Sequence, residues 1–505
     1  MKRLTTIFLS GAAVALVTQA AFAQQAPLPQ ATDSYFMAAQ QELFSKLAEQ
    51  PNTGRAKNVI LFVVDGLSIP TITAARIFEG QQRGVDGESN SLSFEKLLPY
   101  VALSKTYTHD AQVADSAPTA TAMMTGAKSV NGTIGVSQKV TLENCASQKG
   151  AEVTTIFEQA ESAGLSTGII STARITHATP AATYAKVAGR DWENDTSLSD
   201  EARQNGCKDI AAQLIDWSAG NGFEVVLGGG RSNFLPETVA DPEATDKMGA
   251  RKDGRNLVDE WRAKYNDGAY VWNKTEFDAV DPATTGHLFG LFERSHMQYE
   301  ADRAKDKGSE PSIAEMTSKA IDILSKNDEG FELMVEGGRV DHAHHAGNAA
   351  RALVDTVAVA QAVQAAYDKV NLEETLIILT ADHSHTLTIN GYPKRNNPIL
   401  GIAGEGDDKK AYTTLTYANG PGAKLDEPRA DLKDVDTTDI DYLQQALVPL
   451  GESETHAGDD VAIFAAGPWA HLFRGVVEQN LIYHVMSYAS QIPARAKPEA
   501  TGSVK

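Results

Sequence analysis

Residues 336–345 read Glu-Gly-Gly-Arg-Val-Asp-His-Ala-His-His, which crowds Glu336, Asp341, His342, His344 and His345 into one short segment. Asp341 and His345 stand four apart, the spacing that sets two side chains one above the other on a helical face. A carboxylate beside an imidazole suits Zn²⁺, and the carboxylate-only position left over suits a harder ion such as Mg²⁺. A solvated polar turn ahead of a helix is the plainer reading of these residues. The rest of the chain favours the metal reading because it supplies partners. Half of the twelve histidines lie in three clusters with carboxylates: His342, His344 and His345; His383 and His385 after Asp382; and His456 in Glu454-Thr455-His456. His109, His287, His296, His471 and His484 read as structural or surface residues.

A nucleophile is also available. Asp115-Ser116-Ala117-Pro118-Thr119-Ala120-Thr121-Ala122-Met123-Met124 reads as a helix entry built from small residues. A serine at a helix N-terminus sits in a field that stabilises both its own alkoxide and a bound phosphate. An ordinary serine cap explains this segment taken alone. A metal-bound serine needs no histidine base, because the cation itself lowers the alkoxide pKa. The sum is a two-metal site of Asp and His beside a serine. Two cations about 4 Å apart can stabilise the attacking and leaving oxygens of an in-line phosphoryl displacement.

The elements that must hold these residues alternate. Apolar runs at 58–64, 165–171, 224–227, 331–335, 376–380 and 461–465 read as strands, and 151–163, 210–218, 313–325 and 346–369 as helices. The alternation predicts a mostly parallel sheet covered by helices on both faces, a three-layer α/β/α sandwich. Ligands bind such sheets at the carboxyl ends of the strands. There the run at 58–64 meets Asp65-Gly66, 331–335 meets Glu336, and 376–380 leads to Asp382-His383-Ser384-His385. The segment after 171 reaches Thr176-His177-Ala178-Thr179. One strand-end Asp-Gly is an ordinary turn; several on one edge make a site. The predicted core covers 58–387 and 456–492. Ahead of it, within an arm at 24–57, residues 33–49 read as an amphipathic helix carrying Phe36, Met37, Leu43, Phe44 and Leu47, packed on another subunit or on its own core. Residues 388–455, rich in Gly, Pro, Asp and Asn, read as an insertion of small strands and long loops, and 493–505 as a polar, disordered tail.

Lys2 and Arg3 precede an apolar stretch at 7–17, and Ala21-Phe22-Ala23 forms a small-x-small cleavage site before Gln24. Residues 1–23 are expected to be a secretory signal peptide, which places the mature chain in the periplasm or outside the cell. No later run of about 18 apolar residues predicts a membrane span. The formal charge of −21 argues against nucleic-acid or anionic-membrane partners, but not against a small phosphorylated substrate, since bound cations invert the local field. Cys145 and Cys207 are the two cysteines. One bridge, worth about 4 kcal/mol in the loop-entropy model, is the simplest reading in an oxidising compartment; two free buried thiols are the alternative.

At this point the residues match a family. The chain resembles the alkaline phosphatases, and is most similar to their animal-type branch, through Asp65-Gly66, Thr73-Ala74-Ala75-Arg76, Asp115-Ser116-Ala117, the stretches 289–292, 335–345 and 380–385, Asn419-Gly420-Pro421-Gly422, Glu454-Thr455-His456 and Ala465-Ala466-Gly467-Pro468. The resemblance covers nearly the whole mature chain. It implies a phosphomonoesterase of broad leaving-group range with a phosphoserine intermediate on Ser116, two Zn²⁺ and one Mg²⁺. Asp341, His345 and His456 would hold the first zinc, Asp65, Asp382 and His383 the second, and Glu336, Thr179 and Asp65 the magnesium. Arg190, thirteen residues beyond His177, would clamp two phosphate oxygens. His385 would orient a zinc carboxylate. His177 and His342 stand where the best-known bacterial branch carries Asp and Lys, which implies easier Mg²⁺ exchange and a more alkaline optimum.

The resemblance also implies a homodimer gripped by the N-terminal helix, with 388–455 as a crown. The branch's calcium site matches in part: Glu243, the Phe292 carbonyl and Glu293 align, and Glu310 takes the place of the remaining Asp beside a short insertion at 305–308. Pro118 replaces the usual Gly and creates a sulfatase-like Ser-x-Pro, but Ala120 stands where sulfatases need Arg. Two rival readings remain: a phosphodiesterase of the same superfamily, which would replace the Ser116–Arg190–Glu336 trio, and a non-catalytic metal- or phosphate-binding protein, which would have lost a ligand or the nucleophile.

Overall fold

A computed structural model of the protein describes residues 28–424 and 428–495. The leader expected at 1–23 and the tail from 496 onward lie outside the described residues. The chain divides into two compact units between residues 51 and 52. In the first, α1 (Ser34–Ala48) starts at Asp33, whose side chain accepts from the Tyr35 and Phe36 amides. None of its residues is buried, and Tyr35, Met37, Leu43, Phe44 and Leu47 are exposed.

The second unit is organised by a ten-stranded sheet. Its strands are β1 (Asn58–Val63), β2 (Tyr100–Lys105), β3 (Ser166–Arg174), β4 (Val225–Gly229), β5 (Gly268–Val271), β6 (His287–Leu291), β7 (Phe331–Glu336), β8 (Thr375–Thr380), β9 (Val461–Ala466) and β10 (Gly475–Glu478). Their order is β10-β2-β9-β8-β1-β7-β3-β4-β6-β5, and only the pairs made by β9 are antiparallel.

Strand β1 shows why the sheet is covered on both faces. Val59, Leu61 and Val63 join one apolar cluster, while Ile60 and Phe62 join the other. Successive side chains point to opposite faces, so an unbroken apolar run requires a layer on each side. Burying each of these side chains stabilises by roughly 1.5–3 kcal/mol. One layer contains α2 (Ile69–Gln82), the other α3 (Ser116–Thr125) and α4 (Ile156–Ser162). With α2 pack α5 (Ile313–Leu324), the short α6 (Arg339–His345) and the long α7 (Ala349–Lys369); α8 (Leu481–Ser490) lies on the α3 side. Helix α5 buries Ile313, Met316, Ala320, Ile321 and Leu324 at helical spacing, behind a Ser312–Glu315 capping box.

Register then aligns the strand ends. Val63 stands opposite both Glu336 of β7 and Thr380 of β8, and Ser171 of β3 stands opposite Glu336. The residues that follow β1, β7 and β8 therefore emerge at one level on one edge.

All six expected strands form; β2, β5, β6 and β10 were not anticipated. Strand β5 contains only four residues and opens on Gly268, and β2 alternates in burial instead of reading as an apolar run. The helix expected at 151–163 forms only from Ile156, where Thr155 and Glu158 make a capping box. The helix expected at 346–369 starts late because Gly347 adopts φ +67° and Asn348 caps the restart at Ala349. Ile492–Arg495 is a short helix with Ile492 buried and Arg495 paired to Glu329, so the expected tail is ordered as far as residue 495. Residues 388–455 contain the small strands Ile402–Glu405, Ala411–Thr413, Leu415–Asn419 and Ala446–Val448, within the same compact unit.

Cys145 and Cys207 form a disulfide across a separation of 62 residues. Glu201, in the helix before Cys207, also accepts the Cys145 and Ala146 amides and pins the same junction. Replacing both cysteines by serine is expected to lower the unfolding free energy by about 2–5 kcal/mol. Urea unfolding would read this as a lower midpoint, with a slope that steepens as the unbridged unfolded chain exposes more surface; an unchanged midpoint would mean the bridge adds no stability.

Candidate active site

Strand β1 delivers Asp65 to the sheet edge, fully buried. Gly66 follows at φ +73°, where an added Cβ would fall 2.4 Å from Cδ2 of His385. Only glycine lets the chain turn there against that ring. Its amide donates to Asp382 Oδ1 at 3.0 Å, and the His383 amide donates to the same oxygen at 2.9 Å. With Oδ1 occupied, Asp382 Oδ2 faces His383 Nε2 at 3.2 Å without a hydrogen bond, and Asp65 Oδ2 is also buried without one.

Ser116 opens α3 behind its cap Asp115, which accepts from the Ala117 amide. Pro118 sits within the first turn, where its missing N–H costs no helical bond. The Ser116 hydroxyl lies 3.1 Å from His383 Nε2 and 3.5 Å from Asp65 Oδ1. Arg190 is drawn to the same place, donating from Nη1 to Asp115 Oδ1 at 3.0 Å and from Nη2 to His177 Nε2 at 3.2 Å.

A second cluster lies beside the first. On α6, His345 Nε2 stands 3.3 Å from Asp341 Oδ1, and His456 Nε2 stands 3.4 Å from that oxygen. The Nδ1 atoms of His345 and His456 lie 2.6 Å from the Glu454 carbonyl and 2.7 Å from the Ala114 carbonyl, so each must donate there. Both Nε2 lone pairs consequently face each other, 3.0 Å apart, beside a carboxylate. Two acceptors and an anion aimed at one point fit a cation.

His385 reaches the same oxygen of Asp341 at 2.7 Å, but its Nδ1 meets Glu454 Oε2 at 2.5 Å. Burial works against its charged form, yet the bonds to Asp341 and Glu454 outweigh burial and lift its pKa to about 9. A ring that donates from both nitrogens orients Asp341 and does not itself ligate a metal.

The third group joins Asp65, His177 and Glu336, each with a ligand atom within 4.8 Å of the others. Glu336 Oε2 accepts from the Ser171 hydroxyl, leaving Glu336 Oε1 and Thr179 Oγ1 buried without hydrogen bonds. Burial, with the neighbouring carboxylates Asp341, Asp382 and Glu336, pushes Asp65 well above the usual carboxylate range. Burial likewise raises Glu336 to about 8. The orphaned oxygens of Asp65, Thr179, Glu336 and Asp382 are what bound cations would satisfy.

The family described as alkaline phosphatase matches residues 56–492. An alkaline phosphatase of Gadus morhua is 45% identical over 482 residues, covering 94% of this chain and 99% of its own. The tissue-nonspecific isozyme of Felis catus is 46% identical over 475 residues, covering 92% of this chain and 90% of its own. Among solved structures, the Thermus thermophilus alkaline phosphatase is similar at a TM-score of 0.63 and 23% identity, covering 88% of this chain and 93% of that one. That last likeness concerns the fold. The chain belongs to the alkaline phosphatase family. It is a hydrolase of phosphate monoesters, and its carboxylate and imidazole groups fit the family's dependence on metals.

The expected calcium group gains a member, Asp306, and Glu310 stays close to it: its Oε2 is buried without a hydrogen bond, and burial, Glu293 and Asp306 raise its pKa to about 9. Glu243, Glu293 and Asp306 bring carboxylate oxygens within 4.8 Å of one another, and Glu310 is not among them. Asp306 lies in the short insertion whose 3₁₀ turn, Arg303–Lys305, carries it in. Glu310 is buried, with Oε1 accepting from the Gln298 amide, while the Gln298 side chain donates to Glu293 at 2.6 Å. Burial and the two glutamates raise Asp306 to about 7. Phe292, buried between β6 and Glu293, keeps its place next to the group.

His344 is a structural tie, bonded to Thr71 at 3.1 Å and to the Tyr417 hydroxyl at 2.7 Å. Two residues escaped sequence reasoning. Glu454 holds His385 through its side chain and His345 through its carbonyl; its adjacency to Thr455-His456 was the available signal. His296 packs 4.0 Å from His342, centroid to centroid, and nothing in its local sequence announces this.

Glu454→Gln is expected to free His385 and loosen Asp341, weakening metal retention by about 10–100-fold. Metal content after dialysis against graded chelator would measure it; retention equal to that of the parent protein would remove this role.

Proposed function

We propose that the chain hydrolyses phosphate monoesters through a phosphoserine on Ser116. The observation that carries this reading is the position of Ser116 Oγ, 3.1 Å from His383 Nε2 and 3.5 Å from Asp65 Oδ1, beside oxygens that lack hydrogen bonds. Asp341, His345 and His456 would hold one Zn²⁺, Asp65, Asp382 and His383 a second, and Asp65, Thr179 and Glu336 a Mg²⁺. Such ions, when bound, lower the pKa of the serine and of water and neutralise charge on the transferred phosphoryl group.

The chain's own groups do the positioning. Ser116 attacks phosphorus, the ester P–O bond breaks, and the leaving oxygen departs as the alcohol after taking a proton. Water then cleaves the Ser116 O–P bond and restores the hydroxyl. Arg190 already presents two nitrogens side by side, and its fork suits two phosphate oxygens. Asp115 and His177 hold that fork in place. His342 lies beside His177, with ring centroids 5.4 Å apart, at the rim of the phosphate site. A site that grips the phosphoryl group alone accepts many leaving groups.

Glu243, Glu293, the Phe292 carbonyl and Glu310, with Asp306 beside them, are proposed to take a Ca²⁺, whose irregular oxygen coordination they suit. Residues 1–23 are proposed to direct export to the periplasm or beyond, a setting in which the Cys145–Cys207 bridge persists. Among the described residues no helix is long and apolar enough to cross a membrane. The exposed apolar side chains of α1 favour a homodimer through that helix. Sedimentation should give twice the chain mass, and a monomer would remove this part.

Incubation with labelled phosphate at acidic pH, followed by peptide mapping, should place the label on Ser116. Ser116→Ala should abolish the label and lower kcat by about 10³-fold or more while retaining bound zinc. Label on another residue, or full activity without Ser116, would overturn the phosphoserine route.

A further inference from the structure

Three arginine–histidine pairs stand side by side at the site's edge. Arg190 donates to His177 Nε2, Arg339 Nη1 to His342 Nδ1 at 3.1 Å, and the Arg174 backbone amide to His296 Nδ1 at 3.3 Å. The three rings touch in a cluster, with centroids 5.4 Å apart for His177 and His342, 4.0 Å for His342 and His296, and 5.3 Å for His177 and His296. The row thus leads away from Ser116 toward the partly exposed Arg174, His296 and Arg339 and the exposed Ser295.

The charges along this row are not equally compensated. Arg190 pairs with Asp115, and Arg174 pairs with Glu193. Arg339 makes no ion pair among the described residues; its guanidinium lies 3.7 Å from the centroid of the Tyr299 ring, and its Nε is buried without a hydrogen bond. Burial pushes the carboxyl of neighbouring Asp355 up to about 8, so it supplies little counter-charge at neutral pH.

His296 has a second peculiarity. Its Nδ1 receives the Arg174 amide, so a neutral ring carries its proton on Nε2, yet the Arg174 guanidinium also points at Nε2. Donor faces donor there. Arg174 Nη1 also donates to the Ser295 hydroxyl at 3.2 Å, on the exposed side of the row.

We propose that Arg339, His296 and Arg174 form a subsite for a second phosphate carried on the leaving group, which makes bisphosphorylated small molecules the favoured substrates. The inference rests on the reading of Ser116 as the phosphomonoester site and adds a substrate class to it. Water is added across one P–O ester bond, inorganic phosphate departs from Ser116, and the alcohol oxygen keeps the proton. The second phosphate stays on that alcohol, held by the arginines until release.

The test compares kcat/KM for a linear alkanediol bisphosphate and for the matching alkanediol monophosphate, using the metal-loaded full chain. The parent enzyme should favour the bisphosphate. His296→Asp places a carboxylate in the subsite and should lower the bisphosphate-to-monophosphate ratio about tenfold, and Arg339→Lys, which keeps the charge but loses the fork, should lower it by less. Ser295→Asp serves as the second variant if His296→Asp does not fold. No preference in the parent, or a variant that lowers both substrates equally and leaves the ratio in place, would overturn the subsite. Failure of the parent to release phosphate from either compound would instead remove the Ser116 reading, and the subsite with it.

Discussion

Buried negative charge at one sheet edge is the constraint on which the rest of this structure depends. Asp65, Glu336 and Asp382 are fully enclosed and Asp341 nearly so, and each is within electrostatic reach of another. Burying one unpaired carboxylate is costly, and several together compound the cost through mutual repulsion. The outcome differs among the four. Burial dominates for Asp65, Glu336 and Asp382 and raises them, whereas Asp341 overcomes the same burial through His385 and His456 and is held well below the usual range. The edge thus combines a carboxylate whose ionised form the protein itself favours with three whose ionised forms a bound cation would favour.

Sheet register creates the crowding, and hydrogen bonds outside the cluster give it direction. Parallel pairing of β8, β1 and β7 levels the strand ends, which is why residues more than three hundred positions apart share the Asp382–Gly66 bond. Direction comes from backbone carbonyls and one glutamate. Ala114 fixes His456, and Glu454 fixes His345 and His385, so the lone pairs that matter are aimed without being consumed. Ala114 lies two residues before Ser116. The strand carrying Ala457 also pairs with the strand carrying His385, and the His456 bond to Ala114 ties the end of the insertion to the residues before Ser116.

The sequence made the central strands and most of the metal-seeking residues legible because both depend on local pattern. Unbroken apolar runs announce strands buried on both faces, and a carboxylate directly after such a run is placed by the fold itself. Residues whose role arises from tertiary packing left weaker marks. Asp306 joins Glu243 and Glu293 through the loop that also carries the buried Glu310, and spacing alone cannot show that a loop turns two acids toward one group. Glu454 was visible as a neighbour of His456, but its grip on two histidines is created by the fold. His296 carries no motif and gains meaning only through the rings it meets. Strand β5 was hidden by brevity, and the late start of α7 by a left-handed glycine that leaves no trace in apolar periodicity.

The arginine–histidine row follows from the same electrostatic logic in reverse. A chain of formal charge −21 repels phosphorylated molecules at a distance, so their capture depends on cations placed where the long-range field is screened. Lysine would supply such a charge but no planar fork. Arginine beside a neutral imidazole supplies both, and the packed rings are kept neutral: burial and the neighbouring cations hold His342 near 3 and lower His177 and His296 as well. Neutral rings can stack against one another and accept from arginine without adding repulsion. The positive charge therefore remains on guanidinium groups whose protonation does not vary with pH, and the imidazoles set where those groups point.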